Sequence, residues 1–252
     1  MRPIFAPRST AWFLFLLLTS CGGSNAGTPP PKTAGPAEPA PAPPLPPPAA
    51  VQMRGHFADV RTAHDAVIHA DLEGFHAAME RIQHARYGLD LPEGWLGWVE
   101  AMQAVAGDAK QAASLPAAAQ AVAALSLQCA DCHRDTGGGP HLGDPAAAPN
   151  AEAASLDAQM RQHAWGAEQL WLGLVAPSHP HWVQGARALA APPHDRRRDK
   201  AHRAFQAALQ QVQQMAEEAF DAPRPEVKAT RYAELIATCA GCHAALGADG
   251  VR

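Results

Sequence analysis

Residues 116–134, PAAAQAVAALSLQCADCHR, decide the fold that this 252-residue sequence predicts. Apolar side chains recur there every three or four residues, as at Val122, Leu125 and Cys129, which is the spacing of one face of an α-helix. Pro116 stands where such a helix would begin, and proline is tolerated at that position. The segment therefore predicts a helix whose last turns carry two cysteines and a histidine.

The ending of this helix occurs twice, so the chain contains an internal repeat. Cys-Ala-Asp-Cys-His at 129–133 returns as Cys-Ala-Gly-Cys-His at 239–243, and Met-Arg-Gly-His at 53–56 returns as Met-Arg-Gln-His at 160–163. The offset grows from 107 to 110 residues, which one short loop insertion explains. Among the apolar positions, Phe75 corresponds to Trp182. The residues Trp95, Val99, Met102 and Val105 correspond, in this order, to Phe205, Leu209, Val212 and Met215.

Each repeat is predicted to consist of several helices, and no stretch alternates well enough to predict a strand. In the first repeat the helices are expected at Met53 to Ala70, Leu72 to Arg86, Trp95 to Ala106 and Pro116 to Arg134. The Gly/Pro-rich residues 136–150 are predicted to be a linker. The fold class is thus all-α, with tandem helical domains at 51–135 and 151–248.

The N-terminal residues predict export and a lipid anchor rather than folded structure. Residues 1–20 combine Arg2 and Arg8 with an apolar run at 11–18 that is too short to span a bilayer. The run ends in Leu-Thr-Ser-Cys, which resembles a bacterial lipobox and implies cleavage before Cys21 and lipidation of its thiol. An ordinary secretory signal is the alternative. The following Gly22 favours the outer membrane.

Residues 21–50 are so rich in proline and alanine that neither helix nor sheet is expected. We expect a semi-rigid polyproline stalk, with plain disorder as the alternative. The net charge is −4 and no basic stripe stands out, so nothing favours a nucleic-acid partner. The expected location is the bacterial cell envelope, lipid-anchored, with the folded part in the periplasm or at the cell surface.

The two Cys-x-x-Cys-His sequences predict covalent attachment of two haem c groups. Cysteines three apart on a helix lie on one face and can both reach one edge of a porphyrin. The histidine that follows can ligate the iron. The predicted thioether cysteines are Cys129, Cys132, Cys239 and Cys242, and the predicted proximal ligands are His133 and His243. A four-thiolate zinc site, a thioredoxin-like redox pair and unmodified cysteines are the alternatives.

Several helices with the attachment sequence on the last one resemble the cytochrome c-prime group of four-helix cytochromes. The resemblance covers residues 51–134 and 155–246 and rests on motif placement and helix order. Ordinary class I cytochromes c carry the sequence near the N-terminus and do not match. The resemblance implies a bacterial dihaem lipoprotein made of two tandem four-helix bundles, with the first helix of each on the distal side of the haem.

Candidate distal ligands follow from that placement. Met53 and His56 share one helix face, as do Met160 and His163. Related bundles use a first-helix methionine, whereas histidine would give a bis-histidine iron of lower potential. One residue of each pair could instead be a packing residue, so the choice stays open.

The sequence favours a membrane-anchored electron carrier that exchanges electrons with other redox proteins of the envelope. The alternatives are a gas-binding (NO or CO) protein and, less favoured, a dihaem peroxidase, for which no acid–base residue stands out. The histidines scattered along the first two predicted helices are expected to be mostly exposed, namely His64, His69, His76 and His84.

Overall fold

The computed structural model describes residues 47–86, 91–92, 94–149, 156–192 and 200–246. All regular secondary structure in these ranges is helical, which confirms the all-α prediction. The predicted signal segment, the lipidated Cys21 and most of the Pro-rich linker lie outside the described residues.

Eight helices occur in the described ranges, four in each repeat. The first four are Pro47–Ile68 (α1), Leu72–Gln83 (α2), Leu96–Ala109 (α3) and Leu115–Thr136 (α4). The second four are Leu156–Val175 (α5), His179–Ala190 (α6), Lys200–Phe220 (α7) and Pro225–Leu246 (α8). Helix α1 begins inside the predicted linker, because prolines fit in the first turn of a helix, where the missing N–H has no helical partner.

The ends of these helices follow from local sequence. Asp71 caps α2 by accepting a hydrogen bond from the backbone N–H of Gly74, at 2.7 Å. Ser114 precedes α4 in an extended conformation, and Pro116 occupies the first turn. Helix α4 ends at Gly137, whose φ of 65° lies in the left-handed region that glycine adopts without strain.

Consecutive helices pack against each other within each repeat, and the repeats meet mainly through α4 and α8. Helix α1 also contacts α8, and α4 also contacts α5. Buried apolar side chains of both repeats belong to one continuous core, and the described residues between 47 and 246 fall within one compact unit. The division into two separate four-helix bundles therefore stays a prediction.

Residues that correspond between the repeats occupy corresponding core positions. Phe75 and Trp182 are both completely buried, and the indole Nε1 of Trp182 donates a hydrogen bond to the carbonyl of Ala219 at 2.8 Å. Two of the matched pairs on α3 and α7 are buried as well, Val99 with Leu209 and Met102 with Val212, whereas Val105 and Met215 are half-buried. The side chain of Phe205 lies outside the described residues.

In the part of the chain that the structure describes, no helix is both long enough and apolar enough to cross a membrane.

Candidate cofactor-binding site

A groove opens between α1, α3 and α4, with about 400 Å³ of empty space that is partly open to solvent. The side chains that line it are mostly apolar or sulfur-containing: Met53, His56, Trp95, Trp98, Val99, Met102, Gln128, Cys129, Cys132 and His133.

The groove brings together all five candidate residues of the first repeat. Cys129, Cys132 and His133 come from the last helix of the repeat, and Met53 and His56 come from its first helix. These two helices pack directly against each other. Their arrangement leaves apolar space between two thiols and two imidazoles, which suits a flat apolar group with a metal at its centre.

The four cysteines of the two repeats form no disulfide and are all half-buried. Burial, together with the neighbouring cysteine of each pair, raises the pKa of Cys129 and of Cys239 to about 12. No group of three or more metal-binding side chains comes together within the described ranges, so the two cysteine pairs do not form one zinc site.

The orientation of His133 is fixed by the other repeat. Its Nδ1 lies 2.8 Å from the carbonyl oxygen of Val175, the last residue of α5. Because a carbonyl can only accept, Nδ1 carries the hydrogen and donates it, and the lone pair of the neutral ring is on Nε2. Burial lowers the pKa of His133, and the bond to Val175 partly opposes this change. The nitrogen left for a metal is therefore Nε2.

His243 makes the equivalent hydrogen bond in the second repeat. Its Nδ1 lies 2.7 Å from the carbonyl oxygen of Ile68, the last residue of α1. Ile68 and Val175 are equivalent in the repeat, at the offset of 107 residues. Each attachment histidine is thus held by the first helix of the opposite repeat. Hydrogen bonds of this kind set the ring orientation of metal-binding histidines and raise the basicity of the nitrogen that faces the metal.

The two candidate distal histidines have closely similar surroundings. The pKa of His56 is lowered to about 4, and burial is the main cause. The charge of Asp59 raises this pKa, and the charge of His133 lowers it. Burial alone lowers the pKa of His163 to about 4. Both rings are consequently neutral at pH 7 and retain a lone pair.

The remaining candidates of the second repeat are distributed as in the first. Met160 and His163 lie on α5, and Cys239, Cys242 and His243 lie on α8. These two helices pack against each other, as α1 and α4 do. Like Met53, Met160 is only half-buried.

Two glycines of the predicted linker at 136–150 turn out to be part of the first site. A Cβ atom added at Gly138 would lie 2.4 Å from the ring of Trp95, and one added at Gly139 would lie 2.7 Å from Cβ and Cγ of His133. The chain after α4 therefore folds back over the attachment histidine. Sequence reasoning missed this contact because a run of glycines is the same signal for a linker and for close approach.

The expectation of exposure for the scattered histidines is wrong for His64. His69 and His84 are exposed and His76 is half-buried, but His64 is only 2% exposed. Its Nε2 lies 2.5 Å from the hydroxyl of Tyr232, which belongs to the second repeat.

Comparison with known proteins gives no match: no protein-family model fits the chain, and neither the curated proteins nor the solved structures include a match. The case for a function therefore rests on the residues of the candidate site and on the repeat.

Proposed function

We propose that this protein is an electron carrier with two covalently bound haem c groups, one for each repeat. The observation that supports the proposal most directly is the groove in which Cys129, Cys132 and His133 face Met53 and His56. It joins the parts of a c-type haem site, which are two thiols, a proximal imidazole, a possible distal ligand and an apolar lining.

The residues present fit a haem. Cys129 and Cys132 would hold it through thioethers, each formed when the S–H adds across a vinyl group, so that no oxidant is needed. His133 would bind the iron through Nε2, because its Nδ1 already donates to Val175. In the second repeat Cys239, Cys242 and His243 would do the same, with Ile68 as the partner of Nδ1.

The histidine and methionine candidates of both repeats are all half-buried, and we favour histidine because a neutral imidazole retains a lone pair for a metal. His56 Nε2 is buried, and a pKa of about 4 keeps the ring neutral at physiological pH. The same pKa applies to His163. Bound haem supplies a one-electron Fe(III)/Fe(II) couple. If His133 and His56 both bound the iron, no coordination site would stay open, and the potential would be lower than with methionine as the second ligand.

Gas binding is the second candidate function, and one observation favours it. The groove of the first repeat is partly open to solvent, so a small molecule could reach a distal site there. This function requires that both Met53 and His56 stay off the iron. A peroxidase role has no support beyond the expectation of two haems.

The proposed location is the bacterial envelope, where a lipid on Cys21 and the Pro-rich stalk would hold the folded part near membrane-bound redox partners. Covalent attachment would keep the haem on a protein outside the cytoplasm. A Cys21→Ala chain should then be released in soluble form, whereas the native chain should partition with membranes.

The test is the haem content of the full chain, produced in a host that matures c-type cytochromes. Intact-mass spectrometry and the pyridine haemochrome spectrum should give two haems per chain. Cys129→Ala/Cys132→Ala and the matched Cys239→Ala/Cys242→Ala chain should each retain one. A native chain that emerges with free thiols would refute the proposal. A high-spin ferrous spectrum that binds CO readily would favour the gas-binding function.

A further inference from the structure

A series of buried aromatic side chains crosses the interface between the repeats. His64 of α1 and Trp171 of α5 are equivalent positions, at the offset of 107 residues. Their rings stack on each other with centroids 4.5 Å apart and an angle of 16° between the planes. Trp171 is completely buried and His64 nearly so, and water is therefore excluded from the stack.

Each ring of the stack is hydrogen-bonded to a side chain on the last helix of the opposite repeat. Trp171 Nε1 donates to the hydroxyl of Ser126 on α4, at 3.1 Å. His64 Nε2 lies 2.5 Å from the hydroxyl of Tyr232 on α8, and the two rings are parallel within 2°. The other ring nitrogen of His64 lies 2.8 Å from a carboxylate oxygen of Asp65. A neutral His64 accordingly donates from Nδ1 and accepts from Tyr232.

The two residues at the ends of this series, Ser126 and Tyr232, lie on the helices that carry the attachment cysteines. Ser126 precedes Cys129 by three residues, and Tyr232 precedes Cys239 by seven, so each lies on the same helix face as its cysteine. Ser126 and Tyr232 are completely buried. Buried, bonded and stacked atoms thus run from one cysteine-bearing face to the other.

We propose that Ser126, Trp171, His64 and Tyr232 form the path by which electrons pass between the two haems. This inference rests on the proposed function, since it requires a haem at each end. Electronic coupling between redox centres falls less steeply through bonded and stacked atoms than across empty space. The polar groups also need an explanation, because apolar side chains would fill the same interface without the cost of desolvation.

The test is the rate of electron exchange between the haems in the full-length, haem-loaded protein. Two-dimensional NMR exchange spectroscopy at half reduction gives cross-peaks between the haem-methyl signals of the two half-reduced forms. The native chain should show these cross-peaks. Trp171→Leu should lose them, because it removes both the stacking partner of His64 and the bond to Ser126, and both midpoint potentials should stay unchanged.

Trp182→Leu is the matched control, since Trp182 is equally buried and hydrogen-bonded but lies on α6 and is not one of the four residues of the path. Tyr232→Phe is the second test variant, which keeps the ring and removes only the hydroxyl that meets His64. It should weaken the cross-peaks and leave the haem spectra as they are. This variant decides the question if Trp171→Leu fails to mature.

Cross-peaks that persist in both Trp171→Leu and Tyr232→Phe would overturn the proposed path, as would equal losses in Trp182→Leu and Trp171→Leu. In either case the haem content of the native chain would still support an electron carrier. A native chain without haem would instead overturn the proposed function and the path together.

Discussion

The Nδ1 atom of His133 in the first repeat lies 2.8 Å from the carbonyl oxygen of Val175, where the first helix of the second repeat ends. The equivalent bond from His243 to Ile68 runs in the opposite direction at 2.7 Å. Both bonds cross the interface between the repeats. The surroundings of each proposed haem iron therefore depend on a helix that belongs to the other repeat.

Loosening the end of α5 should change the potential of the haem in the first repeat. The potential of the haem in the second repeat should stay unchanged. Val175→Gly frays the last turn of α5 and weakens the hold of its carbonyl on His133. A histidine that loses this bond is a less basic ligand, so the potential of the first haem should rise. Ile68→Gly should raise the potential of the second haem by the same argument.

Redox titration of single-haem chains would assign these changes, with Cys239→Ala/Cys242→Ala retaining only the first haem. If the potential of the first haem changed in Ile68→Gly and not in Val175→Gly, the hydrogen bonds between the repeats would not be the ones that hold the histidines.

Removal of His56 should open the first haem site. His56→Ala is expected to convert the first haem from low to high spin and to allow CO to bind the ferrous form, because no imidazole remains on that side of the groove. Met53→Ala is the matched variant from the same helix face and should leave the haem low-spin. Near-infrared magnetic circular dichroism distinguishes the two ligand types. The reverse result would identify Met53 as the ligand.

A side chain at position 139 should disturb the proximal histidine of the first repeat alone. The Cβ of Gly139→Ala would lie 2.7 Å from Cβ and Cγ of His133, closer than real Cβ contacts, so the ring or the loop must move. The expected outcome is a shift in the absorption spectrum and potential of the first haem. Gly143→Ala lies in the same segment, where a Cβ meets nothing within 4 Å, and should behave as the native chain. Equal spectra for both variants would show that this loop does not constrain His133.

Alkaline pH should destabilise the protein through Tyr232. Burial raises the pKa of this phenol well above its ordinary value. A raised pKa in the folded state stabilises the fold below the unfolded pKa of about 10, and the contribution is lost as pH rises further. Each pH unit above about 10 should then cost up to about 1.4 kcal/mol until the buried phenol itself ionises.

Urea unfolding of the full chain between pH 9 and 11 would measure this loss. Tyr232→Phe should be less stable at pH 7 by about 1–3 kcal/mol, because a buried nitrogen of His64 loses its partner. Its stability should depend less steeply on alkaline pH than that of the native chain. The same slope in both chains would mean that Tyr232 is not the group that ionises.

Local features of the fold could be predicted because they depend on local sequence. Helix α4 was expected at Pro116 to Arg134 and runs from Leu115 to Thr136, since proline marks its start and Gly137 its end. Among the residues that line the first groove, Cys129, Cys132 and His133 were identified from their spacing, and Met53 and His56 from the repeat and the resemblance to four-helix cytochromes.

Contacts across the interface could not be predicted. The partner of His133 is a backbone carbonyl, which any residue at position 175 would supply, so the sequence carries no sign of it. His64 resembles a surface histidine until Tyr232, 168 residues further along the chain, is brought beside it.

The crosswise bonds also bear on how such a chain could arise. A single repeat would hold one such imidazole and one such helix-end carbonyl, and each of them has its partner in the other repeat of this chain. Two identical copies related by a twofold axis would satisfy both bonds at once. The tandem chain thus has the arrangement expected when the subunits of a homodimer become joined by gene fusion. Joined halves need not stay identical, and the stack of His64 on Trp171 is a place where they have since diverged.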